Sequence, residues 1–173
     1  DDNLDIVPED ALITEVALKD PANVQKVLIS TYALARSSDS YGGNIALASE
    51  LLANDGDIYW NGTYVQPAEF DEKAMLADNS YVKDIWMNAY KINNQANIVL
   101  ANLSVVSNTS DKARIEGEAK FLRGLVYFDL GRLFAKPYVA GAVNSQLGVP
   151  ILLTPVLDPN IITYPTRNTL EQV

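Results

Sequence analysis

The run at residues 111–138 constrains the fold more than any other part of this sequence. Its letters are DKARIEGEAKFLRGLVYFDLGRLFAKPY. Read at the helical period of 3.6 residues, its apolar positions spread well beyond one face. These positions are Ile115, Ala119, Phe121, Leu122, Leu125, Val126, Phe128, Leu130 and Leu133. A helix that is apolar over so much of its circumference is normally buried between neighbours. We therefore predict a central helix that other helices cover.

Three glycines repeat every seven residues within this run, at Gly117, Gly124 and Gly131. A seven-residue step drifts only about 20° around a straight helix, so the three glycines share one stripe. Each destabilises a helix interior by roughly 0.5–1 kcal/mol relative to alanine. The stripe therefore predicts that another backbone approaches closely along it. Pro137 is expected to end the helix. The residues that suit its N-cap are Thr109, Ser110 and Asp111.

Composition limits the possible functions. A chain of 173 residues with 48% apolar and 20% charged residues is long enough to form one globular domain with a real core. A net charge of −9 argues against binding nucleic acid or anionic lipid, because both require clustered Lys and Arg. Cysteine and histidine are absent, which removes disulfides and the usual ligands or nucleophile–base pairs of zinc, haem and Ser-His-Asp sites. We expect no cofactor, no metal and no enzymatic activity.

Other segments also have helical patterns. Asp20 and Pro21 are typical of a helix start with proline at the first position. We predict a short helix at 44–53 and a second long one at 80–103. Because only residues 103–109 connect the second long helix to the central one, the two are expected to be antiparallel neighbours. The acidic residues 1–20 are predicted to be an extended lead-in that packs Leu4, Ile6 and Val7 on later parts of the chain.

Asn93, Asn94 and Asn97 lie inside the second long helix although asparagine is a poor helix former. A buried asparagine needs hydrogen-bond partners. We predict that these side chains bridge to a neighbouring loop. Further on, 149–153 is expected to be extended, and 165–173 is predicted to start another helix. Its candidate caps are Thr166 and Asn168.

Residues 54–79 form the longest polar stretch without clear periodicity. A loop of about 25 residues inside a compact domain is uncommon and often functional. The stretch is rich in residue types that recognise ligands: Asp55, Asp57, Tyr59, Trp60, Asn61, Tyr64 and Gln66. We interpret it as the candidate ligand-binding loop.

The carboxylates do not indicate catalysis. Asp129 lies on nearly the same helical line as Glu118, 11 residues later. Arg123 lies between them and Arg132 follows Asp129 at i+3, so a structural ion-pair network is preferred. A glycosidase needs two carboxylates at a set separation across a cleft. The two aspartates of the 54–79 stretch are better explained by a turn, and they lack the spacing of an EF-hand calcium loop.

The central run resembles the pattern of the SusD/RagB family, in which a Glu-Ala-(Arg/Lys)-Phe-Leu-Arg-(Ala/Gly)-Leu-x-Tyr-Phe-x-Leu-x-Arg-Leu-Phe-Gly run marks a central helix. Two further stretches also match. The preceding helix has the family's Trp-x-x-x-Tyr spacing at Trp86 and Tyr90 with Ala96-Asn97, and Gly148-x-Pro150 matches a later Gly-x-Pro stretch. The residues matching in the central run are Glu118, Ala119, Lys120, Phe121, Leu122, Arg123, Gly124, Leu125, Tyr127, Phe128, Leu130, Arg132, Leu133 and Phe134.

This resemblance implies an all-α fold: a tetratricopeptide-like array of antiparallel helix pairs with long loops and minor extended segments. Residues 1–173 would be the N-terminal helical domain of the family, truncated before the C-terminal part of the architecture. It also implies a nutrient-binding lipoprotein on the outward-facing surface of the outer membrane, attached through a lipid anchor outside these residues. Its expected partners are an oligosaccharide or other nutrient and a SusC-like TonB-dependent outer-membrane transporter.

Aromatic rings stack on the flat C–H faces of sugars, and Asp, Asn and Gln side chains bind their hydroxyls. The predicted ligand contacts are Trp60, with Tyr59, Asn61, Asp55 and Asp57 as polar or secondary contacts. Two alternatives stay open. Trp60 and Tyr64 can instead cover the surface of their own domain. The chain can also be a tetratricopeptide-like scaffold that binds a protein or peptide and has no sugar site.

Overall fold

A computed structural model describes residues 16–158 and 163–173 of the chain. The described part is helical and contains no β-strand beyond one isolated antiparallel bridge, between Leu147 and Thr169. The all-α prediction is confirmed. The predicted packing of Leu4, Ile6 and Val7 lies outside the described residues. The helices are α1 (Pro21–Ala35), α2 (Asn44–Ala53), α3 (Val65–Asp71), α4 (Ser80–Ala101) and α5 (Thr109–Phe134), and short 3₁₀ turns occur at Ala17–Lys19, Leu103–Val105 and Leu170–Gln172.

The starts of the helices follow from local chemistry. Asp20 accepts a hydrogen bond from the Ala22 amide at 2.9 Å, and Pro21 is the first helical residue, as predicted. Asn108, one residue before the predicted candidates, caps α5 by accepting from the Asp111 amide. The α5 helix ends at Phe134, three residues before the proline that was expected to end it.

Helices α1, α4 and α5 form the core, and α4 runs antiparallel to α5. Near the end of α4, Asn97 accepts a hydrogen bond of 3.0 Å from Arg123 in the middle of α5. Earlier in α4, the ring of Trp86 contacts the ring of Phe134 at the end of α5, with centroids 5.0 Å apart. The predicted antiparallel pair is confirmed. The three helices bury apolar side chains almost completely, among them Val24, Leu28, Ile92, Val99, Val126 and Leu130.

One face of α5 departs from the prediction that the helix is covered all round. Ile115, Ala119 and Leu122 are buried as expected, but Phe121 and Phe128 are 62% and 68% exposed. The side that faces α1 and α4 is buried, whereas these two phenylalanines on the opposite side lie mainly in solvent. Periodicity identifies which positions are apolar but does not say how many neighbours a helix has.

The predicted close approach of another backbone to the glycine stripe is wrong for the described residues. A Cβ atom built at Gly117 or at Gly124 meets no heavy atom within 4 Å. At Gly131 it meets only the side chains of Val173 and Leu170, at 3.5 and 3.6 Å, which is ordinary packing contact. The first two glycines therefore line open space.

The predicted loop at 54–79 contains a helix. α3 occupies Val65–Asp71, so the irregular segment before it shrinks to residues 54–64. Phe70 of α3 is 1% exposed and packs against Ile45 and Leu51 of α2 and Ile85 of α4. At seven residues, α3 is too short for a periodicity signal, and it forms because Phe70 and Pro67 are buried by its neighbours.

After α5 the chain is extended and crosses the α4–α5 pair. The Gly148 amide donates to the Asn168 carbonyl at 2.8 Å, which brings the last described residues next to this segment. The helix predicted from residue 165 is only the 3₁₀ turn Leu170–Gln172. Its cap is Thr169, paired with Gln172 in a capping box, and not Thr166 or Asn168.

No helix among the described residues is both long and apolar enough to cross a membrane.

Candidate ligand-binding loop

The loop at 54–64 begins with a turn built by one side chain. Asn54 ends α2, and its Oδ1 accepts hydrogen bonds from the amides of Gly56 at 2.7 Å and Ile58 at 3.1 Å. This is an Asx turn, and within it Gly56 has a positive φ of +116°, which glycine adopts without steric cost. The turn places Asp55 and Asp57 in solvent.

Trp60 joins the loop to the core. Its indole is half-buried against the cluster formed by α2, α3 and α4. The Trp60 amide donates to Asp71 Oδ2 at 2.9 Å, and its Nε1–H donates to the Tyr64 carbonyl at 3.1 Å. A Cβ atom built at Gly62 would lie 2.3 Å from the indole ring, so the chain crosses directly over Trp60. Trp60 therefore supports the loop, which favours the alternative that this side chain covers its own domain.

Exposed aromatic and apolar side chains surround this anchor. Tyr59 is 73% exposed, Tyr64 is 64% exposed and Val65 is 62% exposed. Asn61 is also exposed. The remaining predicted contacts, the two aspartates of the Asx turn, lie in the same loop and in solvent. The loop therefore presents rings, carboxylates and one amide to solvent on a framework that Trp60 holds.

Sequence reasoning missed two residues that fix the loop from outside it. Asp71, at the end of α3, accepts from the Trp60 amide. Lys73 Nζ donates to the Asn54 carbonyl at 3.1 Å, and Lys73 itself has a positive φ of 54°. Asp71 and Lys73 lie more than ten residues along the chain from the loop residues that they contact. They reach the loop because α3 folds this part of the chain against it.

The acidic residues of this loop do not form a metal site in the described part of the chain, where no group of three or more His, Cys, Asp or Glu side chains is placed to hold an ion. The exposed carboxylates and the amide oxygen of this loop can accept hydrogen bonds from hydroxyls, and its exposed rings can stack on flat apolar faces.

The predicted ion-pair network is smaller than expected. Asp129 is 6% exposed and accepts from Arg132 Nε at 2.6 Å, as predicted. Its second oxygen accepts from the Tyr41 hydroxyl at 2.6 Å, a partner the sequence did not indicate. Burial and the hydrogen bond to Asp129 raise the pKa of Tyr41. Glu118 pairs instead with Arg114, and Arg123 binds an asparagine. The network connects α5 to the turn after α1.

The asparagines of α4 bridge to a neighbouring segment, as predicted. Asn93 and Asn97 both donate Nδ2–H to the Leu152 carbonyl, at 2.9 and 2.8 Å. Asn94 exchanges two hydrogen bonds of 2.8 Å with the backbone of Val156. The Tyr127 hydroxyl accepts from the Leu152 amide at 2.6 Å and donates to its carbonyl at 3.1 Å.

We call this array, together with Tyr90, whose hydroxyl donates to the Pro150 carbonyl at 2.7 Å, the asparagine clamp. It holds residues 150–156 by their backbone. Burial raises the pKa values of Tyr90 and Tyr127. The clamp is a structural element, and it is not the candidate ligand site.

Comparisons with known proteins agree with this fold. A family described as "SusD-like_3: Starch-binding associating with outer membrane" matches residues 2–173. A SusD superfamily protein from Bacteroides thetaiotaomicron VPI-5482 is 31% identical, with a TM-score of 0.72 over 87% of this chain and 33% of that one. A second, from Bacteroides fragilis, is 23% identical, with a TM-score of 0.72 over 88% of this chain and 36% of that one.

The second relative, at this identity, supports the fold alone. The chain spans about a third of the length of these solved structures. A search of curated proteins finds no match. Because the family model matches nearly every residue, and the helical fold agrees with it, the chain belongs to the SusD-like family, which is described as starch-binding and associated with the outer membrane.

Proposed function

We propose that this chain is the N-terminal helical domain of a cell-surface receptor that binds oligosaccharide and delivers it to a SusC-like TonB-dependent transporter. The observation that carries the proposal is the loop at 54–64. It presents exposed aromatic rings beside carboxylates and an amide on a rigid anchor. The family's description as starch-binding supports starch-derived glucans as the first ligands to test.

Within the loop, we assign different roles to the predicted contacts. Tyr59 is the stacking ring, because it is 73% exposed. Trp60 is half-buried and holds the loop in place, so its contact with a sugar is limited to its exposed edge. Asp55, Asp57 and Asn61 are exposed and supply hydrogen-bonding groups for hydroxyls. Rigid aromatic groups lose little conformational entropy on binding, which suits a receptor for many repeating sugar units.

The rest of the proposal concerns the cellular setting. The family's association with the outer membrane supports a position there. We further propose that the receptor faces outward, is held by a lipid anchor outside these residues, and continues into the C-terminal part of the family's architecture. Sequencing the gene upstream of the first residue tests the anchor, since a lipoprotein needs a cysteine at its processed N-terminus.

Affinity-gel electrophoresis tests the sugar site. We expect retardation of the wild-type chain by starch or by another glycan of a panel. Y59A should weaken it by a few-fold to tenfold, since an aromatic contact contributes about 0.5–1.5 kcal/mol. W60A should weaken it as well, because the loop loses its anchor. Y164A is the matched control, since Tyr164 is 90% exposed and lies outside the loop.

Unchanged retardation of both loop variants on every glycan that retards the wild type would remove the sugar site from this loop. An absence of retardation by any glycan would favour the alternative, a tetratricopeptide-like scaffold for proteins or peptides. One observation bears on that alternative directly. The α4 face that binds extended backbone is filled by residues 150–156 of the same chain. The oligosaccharide receptor is therefore the better supported function.

A further inference from the structure

The candidate loop lies in an acidic part of the molecule. Residues 54–79 contain six carboxylates and one lysine, a net charge of −5. Asp55 and Asp57 are exposed, and neither forms an ion pair in the part of the chain that the structure describes. Asp71 is half-buried and contacts the loop directly, through the Trp60 amide. The exposed rings of the loop therefore lie in a region of negative potential.

Lys73 is the single cation of residues 54–79, and it is already bound. Its Nζ donates to the carbonyl of Asn54 at 3.1 Å and to that of Asp71 at 3.5 Å. Two of its three N–H donors are thereby used within the chain. Lys73 thus supports the loop, and its single charge offsets only a fraction of the negative charge around it.

The elements packed around the loop do not reverse this charge balance. α2 carries Glu50 and no basic residue, and at the start of α4 Lys83 is followed directly by Asp84. Near the end of α5, Arg132 pairs at 2.6 Å with the buried aspartate three residues before it. Lys136, just after α5, lines a cavity on the outer face of that helix. These cations leave the loop with an excess of negative charge.

Neutral and acidic sugars meet such a loop differently. A hydroxyl group donates a hydrogen bond to a carboxylate, so an uncharged sugar can use Asp55 and Asp57 as acceptors. A uronate or sulfate group has only acceptor oxygens at neutral pH, so it offers these aspartates no proton and repels them. One unit charge at about 6 Å in water changes a dissociation constant roughly threefold, and two such charges change it about tenfold.

We propose that the loop at 54–64 selects uncharged oligosaccharides and rejects glycans that carry uronate or sulfate groups, and that Asp55 and Asp57 impose this selection. A divalent cation that bridged protein and glycan carboxylates would cancel the repulsion. Within residues 16–158 and 163–173, however, no group of three or more acidic side chains is placed to hold one. The inference rests on the proposed sugar-binding function, and it specifies the class of glycan.

Isothermal titration with matched glycan derivatives tests the selection. The probes are the hydroxyethyl and carboxymethyl derivatives of amylose, and of any other panel glycan that retards the wild type, at equal length and degree of substitution. The two substituents have similar bulk, so the ratio of the two dissociation constants reports the effect of charge. Titrations contain EDTA and are run at about 10 mM and about 1 M salt, where the screening length is about 30 Å and about 3 Å.

At low salt, the wild-type chain should bind the carboxymethyl derivative about tenfold more weakly than the hydroxyethyl derivative. At high salt the two dissociation constants should differ by less than about twofold, because the charges are screened. D55N/D57N removes both charges at exposed positions and keeps an acceptor oxygen at each. It should lower the ratio at low salt to less than about threefold. The ratio compares two ligands of one variant, so a change in overall affinity does not affect it.

D111N/E116Q is the matched control, since it removes two charges near the start of α5, from side chains that are 58% and 39% exposed. These positions are roughly 27 Å or more along the helix from Phe134, which packs on the same cluster as Trp60. The control should keep the wild-type ratio. It separates the local effect of the loop from the effect of the chain's net charge of −9.

Equal or tighter binding of the carboxymethyl derivative by the wild type at low salt would overturn the inference and leave the sugar-binding loop in place. An unchanged ratio in D55N/D57N would also overturn it, as would an equal fall of the ratio in D111N/E116Q, because the selection would then not come from the loop. If no glycan binds in any form, the proposed function fails and takes this inference with it.

Discussion

Two irregular segments of this molecule are held in opposite ways. Residues 150–156 lie in the asparagine clamp, where side chains of α4 and α5 bind their backbone across more than 20 residues of sequence. The loop at 54–64 is held by its own Asx turn, by Trp60 and by two residues of the next helix and turn. In the first segment the backbone is bound and little remains to bind a ligand. In the second, rings and carboxylates remain free to face solvent.

The comparison shows that lack of regular structure is not itself evidence of function. Both segments are irregular, and both follow a helix. The two segments differ in how many of their backbone groups are hydrogen-bonded by side chains of the helices. The clamp consumes backbone donors and acceptors that a ligand would otherwise need, whereas the loop leaves Tyr59 and Tyr64 exposed at 73% and 64%. Segments that satisfy their backbone locally and expose their side chains are the better candidates for recognition.

The largest effect is expected from breaking the clamp at Asn97. N97A removes the donor to the Leu152 carbonyl and the acceptor of Arg123, and it leaves a charged group without this partner. We expect a loss of about 3 kcal/mol in the free energy of unfolding, which lowers Tm by roughly 6–12 °C in a chain of this size. Thermal unfolding followed by circular dichroism measures it. N94A is the control, since Asn94 makes two exposed hydrogen bonds to the same segment and should lose only about 1 kcal/mol. Equal losses would contradict the distinction between the buried and exposed parts of the clamp.

A second effect comes from alkaline pH. Burial raises the pKa values of Tyr90 and Tyr127 in the fold above the ordinary value of 10.0, so the folded chain holds their protons when the unfolded chain releases them. The stability that these groups contribute is present below about pH 10 and is lost as the pH rises above it. Urea unfolding between pH 8 and pH 11 should show this decline. The decline should be shallower for Y90F, while Y59F, in the exposed loop, should follow the wild type.

A third, smaller effect is expected at Gly62. The Cβ atom of G62A would lie 2.3 Å from the Trp60 ring, so the turn must shift or the indole must leave its place. We expect a loss of about 1–3 kcal/mol, as for other overpacked sites, with a change in tryptophan fluorescence. G56A is a less suitable control, because Gly56 has a positive φ. G117A is suitable, since its Cβ meets open space, and it should stabilise the helix by roughly 0.5–1 kcal/mol.

The smallest effect on stability should come from the exposed rings. Y59A and Y64A remove side chains that lie mainly in solvent, so the free energy of unfolding should change by less than about 0.5 kcal/mol. The same change in Tyr59 is expected to weaken glycan binding, which separates the roles of support and recognition. A large loss of stability in Y59A would place this ring in the support of the loop, beside Trp60.

Much of the helical framework was predictable from the sequence because long helices leave a repeated signal. Asp20-Pro21 marked the start of α1, and the apolar spacing of 111–138 identified α5 to within a few residues. The bridging role of the α4 asparagines followed from their poor helix propensity and the need to satisfy buried amides. α3 was missed, since seven residues hold barely two turns, and its helix depends on the burial of Phe70.

The candidate site was predictable in composition but not in geometry. The sequence identified the loop and its residue types, including Tyr59 and Trp60. It did not identify which ring faces solvent, because that depends on Asp71 and Lys73, which reach the loop only through α3. The assignment of these residues to sugar binding stays a prediction.

The sequence by itself determined the family, the all-α class and the positions that are apolar, since each depends on patterns local to a few helical turns. Only the tertiary structure decided which of those positions are covered. Trp60 is anchored beneath Gly62, while Phe121 and Phe128 lie in the open on the same helix that buries Leu122. The physical reason is that burial is a property of neighbours distant in sequence, and a helical period records the face of a residue but not what packs against it.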